Sequence, residues 1–558
     1  MTEAEKEIKE KALDQISLEE PTEEELLTLQ RVSDKIPLSG YLVVAIELCE
    51  RFSYYGLINP FQNYIQYKPT DVIPGALGLK QSGATALNSF FSLWSYLTPI
   101  FCAIIADQYL GRYWTIFWFS WVYLLGQIIL ILTSTPSAIR NGMSLWGFIV
   151  SIIIIGLGTG GIKVNVSPLV AEQYNSRKLF IKTLKNNQRV IVDYNVTLQH
   201  IFLIFYLAIN IGSFGGVLTI FLEKFVGFWL AYLVPACVFT IGILILVMGK
   251  PLYICQSPQS SAILNAFKAI YIAIRSGFKL DNAKPSKTNG KYKLYWDDTF
   301  IDELRVTLVA CRIFLFFPIY WLFYKQMVTN LLSQAGSMEL SNLPSELAQQ
   351  INPLTLVIMI PIFNNFIYPK LRKYGILLRP ITRITIGFFC GTLAMGYSAI
   401  VQQMIYNSPP CYKYPGDITR CSAIKQIGEP NKIHLAYQLP SFVFIAISEI
   451  FSSITGLEYA YTKASFTMKS FVMSLFFLTV AAASVIQIIF SPLFRDPLMV
   501  WVYTFLSVAS FVAGVVFWFL FKGYNNLEDE MNSFQRNIRN LKSEEFKEIE
   551  NKPTQVAS

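Results

Sequence analysis

The 558-residue sequence predicts an all-α integral membrane protein with twelve transmembrane helices in two six-helix bundles. Three observations carry this. Charged residues make up 15% of the chain and hydrophobic residues 53%, where a soluble protein would carry about 25% charged. The chain holds 43 Phe and 30 Tyr, which suits a lipid-facing molecule with interfacial aromatic belts. Apolar stretches long enough to cross a ~30 Å hydrocarbon core recur along it, with one long polar interruption near the middle.

Taken in order, the chain starts with an acidic segment, 1–37, that includes Glu23-Glu24-Glu25 and lacks a signal peptide's apolar core. It reads as a cytosolic tail. The spans fall at 39–60, 84–106, 113–133, 144–166, 197–221 and 228–248, making a first bundle over 38–248. Residues 249–302 form a polar cytosolic linker. Within it Leu264, Phe267, Ile270, Tyr271 and Ile274 repeat at helical spacing, interrupted by Lys268 and Arg275. That predicts an amphipathic helix over 262–278, too polar to span. A second bundle, 303–521, holds spans at 303–326, 353–369, 381–404, 437–460, 470–490 and 498–521. The charged segment 522–558 reads as a second cytosolic tail.

Orientation follows from Lys and Arg. With both termini inside, the inner loops hold Arg112, Arg177, Lys178, Lys182, Lys185, Arg189, the basic group from Lys250 to Lys293, Lys370, Arg372, Lys373, Arg379, Lys463 and Lys469. This is the positive-inside bias. The net charge of +9 is therefore a topology signal, and no basic patch interleaved with aromatics points to nucleic acid. Cys411 and Cys421 share the predicted outer loop 405–436, in an oxidising compartment, and are candidates for a disulfide. The sequence contains no CxxC, no P-loop, no H-E-x-x-H and only two His, so neither an enzyme, a metal site nor a cofactor is expected.

The first span nevertheless contains Glu47, Glu50 and Arg51, followed by Tyr54 and Tyr55. On a helix Glu47 and Arg51 are i,i+4 neighbours, as are Glu50 and Tyr54. A charge at the centre of a membrane helix costs ~2.5–3.5 kcal/mol on insertion scales and marks a polar pathway. A structural ion pair between helices is the alternative. Glu449 is the one carboxylate in the apolar run 441–456. Lys163 follows a Gly-rich stretch, where snorkelling to the interface competes with a functional role.

Five motifs in chain order then give a resemblance. They are Glu47-Leu-Cys-Glu-Arg-Phe-Ser-Tyr-Tyr-Gly56, Asp107-Gln-Tyr-Leu-Gly-Arg112, Gly158-Thr-Gly-Gly-Ile-Lys-Val-Asn165, Phe205-Tyr-Leu-Ala-Ile-Asn-Ile-Gly-Ser213 and Gly456-Leu-Glu-Tyr-Ala-Tyr461. The sequence resembles the proton-coupled oligopeptide transporters of the major facilitator superfamily, and among them the fungal di- and tripeptide transporters. The resemblance implies that Glu47, Glu50, Arg51 and Lys163 couple to protons. It implies that Glu449 pairs with a peptide's amino terminus, and Arg51 and Lys163 with its carboxylate. Tyr54, Tyr55, Tyr96, Asn210 and Trp321 match pocket-lining positions, although on sequence alone each aromatic is as readily packing. Asp107 and Arg112 read as a cytoplasmic gate latch, or simply a charged turn.

The implied activity is proton symport of di- and tripeptides into the cell across the plasma membrane, driven by the proton gradient with no cofactor. Another small nitrogenous solute or anion, or a nutrient sensor of the same fold, are the alternatives. Two departures stand out. Many relatives carry an arginine two residues after Tyr-Tyr-Gly, where this chain has Ile58, and Lys325 adds a cation near Trp321. Peptide preference, proton stoichiometry and oligomeric state have no signature in the sequence.

Overall fold

Backbone groups in lipid must be satisfied within their own segment, so the apolar runs close into helices. The computed structural model describes residues 21, 22, 25, 29, 31–71, 73–174, 179–183, 189–258, 261–277, 279–288, 294–340, 344–374, 378–415, 421, 431–463 and 468–525. Most of the predicted tails, 1–37 and 522–558, lies outside these residues. Ten helices among the described residues are long and apolar enough to cross a membrane. The other two expected spans are helical as well, but each is compromised. The first, Leu38–Ile58, carries the buried charges. The run expected at 353–369 is built of Ile351–Ile362, a π-helical turn Phe363–Ile367 and Tyr368–Lys373.

Buried apolar side chains gather into two large clusters, one drawn from Val43 to Tyr253 and one from Ala266 to Phe521. The two halves meet along the helices Lys80–Ile105 and Lys469–Phe490, which pack side by side. At one end of this interface polar side chains join the halves directly. Gln62 donates to Ser333 at 3.0 Å, while Gln81 and Thr85 reach Asn330 Oδ1 at 3.1 and 3.2 Å.

Near the other end, the linker helix forms over Ala262–Arg275, as its periodicity predicts. Its N-cap Ser261 accepts from the Leu264 amide and also contacts Asp107, at 3.5 Å. Ile263 packs with Ile100 and Ala103 of the first half. Phe267 meets Phe471 of the second half edge to face, with ring centroids 5.7 Å apart. The amphipathic face is thus spent on a strut between the halves.

A small sheet was not anticipated. Strand β1 (Arg31–Val32) pairs in parallel with β3 (Arg189–Val192), which pairs antiparallel with β2 (Phe180–Thr183). Arg31 bonds Asp193 at 2.9 Å and Lys182 bonds Asp34 at 3.1 Å, fastening the segment before the first span to the loop between the fourth and fifth. Cys411 and Cys421 form the disulfide the sequence left open.

Candidate functional site

The first-span charges are brought together as the helical spacing requires. Glu50 is fully buried, and Arg51 and Glu47 nearly so. Arg51 Nε donates to Glu50 Oε2 at 2.5 Å and lies 3.2 Å from Glu47 Oε1. Thr159 of the helix Ser144–Glu172 donates to the other Glu50 oxygen at 3.0 Å. Among the described residues Glu47 Oε2 has no hydrogen-bond partner, and Glu47 lies within electrostatic reach of Lys163. The cluster is an unevenly held pair of carboxylates around one guanidinium. Burying such ions costs several kcal/mol each unless geometry and hydrogen bonds compensate.

Two glycines make room for the motifs. Gly111 adopts φ +76°, opening the turn between the Asp107 segment and Arg112. Gly212 lets the helix Tyr194–Ser213 press against the first span, because a Cβ there would come 2.7 Å from Arg51 Cβ and 3.0 Å from the Leu48 carbonyl. Gly212→Ala should therefore destabilise the protein by ~1–3 kcal/mol, the usual cost of overpacking. A lowered thermal unfolding midpoint of the purified protein would register it, and an unchanged midpoint would contradict the close approach.

Lys163 places its ammonium 4.0 Å from the Tyr96 ring centroid and 5.5 Å from that of Phe477. Tyr96 and Phe477 come from opposite halves and pack edge to face, so the lysine sits at the seam. Glu449 ends the helix Leu439–Glu449 where a π-helical turn, Ile450–Ile454, begins. Asn352 donates to Glu449 Oε2 at 3.1 Å, and Tyr324 lies near the carboxylate. Tyr55 lies within electrostatic reach of Arg51 and Glu50 on its own helix and of Glu449 across the seam. The two charge groups therefore face a common region from opposite halves.

The other expected residues divide. Tyr54 packs against Tyr55 and Phe91, beneath the Arg51 guanidinium. Trp321 donates its indole N–H to Thr479 at 3.0 Å and meets Tyr320, Tyr324 and Phe476 edge to face. Asn210 spends its amide on the Tyr206 carbonyl one turn back. Asp107 and Arg112 lie apart from this region. Arg112 bonds Glu172, and Asp107 contacts the linker helix through Ser261. Thr159, Glu172, Tyr324 and Asn352 were not foreseen. Tyr324 follows Trp321 by three residues, a spacing that shares a helix face, and Asn352 is a polar residue opening an apolar run.

A carboxylate on one half and cations on the other are complementary to a short solute bearing both charges. The model described as "POT family" matches residues 113–506. Peptide transporter PTR_C of Candidozyma auris is 50% identical over 513 residues, covering 92% of this chain and 89% of that protein. Peptide transporter PTR2 of Saccharomyces cerevisiae is 45% identical over 516 residues, covering 92% and 84%. This chain belongs to the POT family. The in meso crystal structure of the POT family transporter PepTSo shares its fold, with a TM-score of 0.68 at 21% identity over 88% of this chain and 99% of that one. The POT family assignment bears out the resemblance carried by the five motifs. It makes the chain a multi-pass membrane transporter and not an enzyme.

Proposed function

We propose that this protein is a proton-coupled symporter that imports di- and tripeptides across the plasma membrane, with both termini in the cytosol. The observation that carries this is the placing of opposite charges across the seam: Glu449 on one half, Arg51 and Lys163 on the other. A peptide's amine and carboxylate are fixed while its side chains vary. A carboxylate and cations on separate halves would read those ends and draw the halves together, and aromatic walls would tolerate the side chains between. Protonating a first-span Glu removes its ion pair and frees a cation, so one proton could trade places with the peptide carboxylate. Asp107 and Arg112, through Ser261 and Glu172, would then act at the cytoplasmic end, where the linker helix joins the halves. Peptide transport agrees with the similarity to the peptide transporters of Candidozyma auris and Saccharomyces cerevisiae.

The driving force suffices. One proton moving down ~100 mV supplies about 2.3 kcal/mol, and each pH unit about 1.36 kcal/mol more. Together these permit roughly a few-hundred-fold accumulation of a neutral peptide. The test is uptake of labelled Ala-Ala into vesicles containing the purified protein under an inward proton gradient. Accumulation that collapses when an ionophore dissipates the gradient is expected. No accumulation by protein with a normal unfolding transition would refute the proposal.

A further inference from the structure

Lys325 has no part in the charge arrangement described above, yet it is buried between the halves. Its ammonium donates to the Val480 carbonyl at 3.2 Å and to the Ser484 hydroxyl, both neutral acceptors. Among the described residues no carboxylate lies within ion-pairing distance of it. Taking a lone cation out of water is costly unless something pairs with it.

Lys325 lines a cavity at the seam, walled on the first half by Tyr54, Ile58, Asn59 and Ser89 and on the second by Gln349 and Gln487. Asn59, Gln349 and Gln487 are each at least nine-tenths buried. Among the described residues Lys325 is the one charged side chain that lines this cavity. An ammonium has only donors to offer and a carboxylate only acceptors, so the two are complementary. The ammonium is presented to the cavity from the second half, opposite Ile58 of the first.

Resting on the peptide-transport reading, we infer that Lys325 forms a second anion subsite that binds a carboxylate of the transported peptide. Two sources of that carboxylate differ in consequence. An acidic side chain would make Lys325 a determinant of preference for Asp- and Glu-containing peptides. The peptide's own C-terminus would make it an alternative anchor to Lys163.

The experiment is competition against labelled Ala-Ala uptake in vesicles carrying the full chain, using Ala-Glu, Ala-Gln, Ala-Ala and C-terminally amidated Ala-Ala. In the wild type a charge-assisted contact should let one acid outcompete its neutral partner by about tenfold or more. Lys325→Gln should bring that ratio towards one, and Lys325→Arg should retain it. Collapse of the Ala-Glu to Ala-Gln ratio identifies the side-chain carboxylate. Collapse of the ratio of Ala-Ala to its amide identifies the C-terminus. Ratios unchanged by Lys325→Gln, with uptake persisting, overturn the subsite and leave peptide transport standing. Should Lys325→Gln fail to fold, equal competition within both pairs in the wild type alone overturns it. Absence of any Ala-Ala uptake by folded wild type overturns the transport reading instead, and the subsite with it.

Discussion

Glu449→Gln should lower kcat/KM for a dipeptide with a free amine by roughly thirtyfold or more, and should leave N-acetylated dipeptides poor substrates for either form. Truncating one side of a hydrogen-bonded charge pair costs about 2–5 kcal/mol, and 2 kcal/mol is already about thirtyfold. Glutamine suits the test because its carbonyl oxygen can still accept from Asn352, which hydrogen-bonds Glu449. The change thus removes charge while the local packing persists. Uptake rates of Ala-Ala and N-acetyl-Ala-Ala, measured side by side in wild type and variant, decide it. A variant that slows both equally, or a wild type that takes both equally, would mean that Glu449 does not read the amine.

The charges were legible in the sequence because lipid makes them expensive. Glu47, Glu50, Arg51 and Glu449 announce themselves within apolar runs, and helical periodicity alone places the first three on one broad face. Their partners were less visible. Thr159, Tyr324 and Asn352 are ordinary residues for their surroundings, and only the crossing of helices brings them to Glu50 and Glu449. The sheet escaped for a related reason. Phe180–Thr183 and Arg189–Val192 are short, and β1 comes from a two-residue segment more than 150 residues away, so no local pattern links them.

Lys325 is the opposite case. The sequence displays it, but its setting, a seam cavity with only neutral acceptors at the ammonium, comes from the packing of the helices, which no pattern reveals. The linker helix was read correctly as amphipathic. That its apolar face lies on helices of both halves, and not on lipid alone, followed only from the fold.

Glu50→Gln should abolish gradient-driven accumulation while leaving peptide exchange across the membrane measurable. Glu50 is the more tightly held of the two first-span carboxylates: it is fully buried, accepts from Thr159 on one oxygen and from Arg51 on the other. Glutamine imitates its protonated form. Arg51 would then keep Glu47, 3.2 Å away, as its one ion-pair partner among the described residues, as if the proton had already arrived and could not leave. A peptide carboxylate could still bind the freed guanidinium, so counterflow of labelled against unlabelled Ala-Ala should persist. The accumulation ratio under an inward proton gradient should fall from up to a few-hundred-fold towards one. Breaking a buried pair can itself cost about 3–5 kcal/mol, so loss of both activities together with a lowered unfolding midpoint would mark a structural role for Glu50. An unchanged pH dependence in a stable variant would move the coupling step to Glu47, whose second oxygen has no hydrogen-bond partner among the described residues and which lies within electrostatic reach of Lys163.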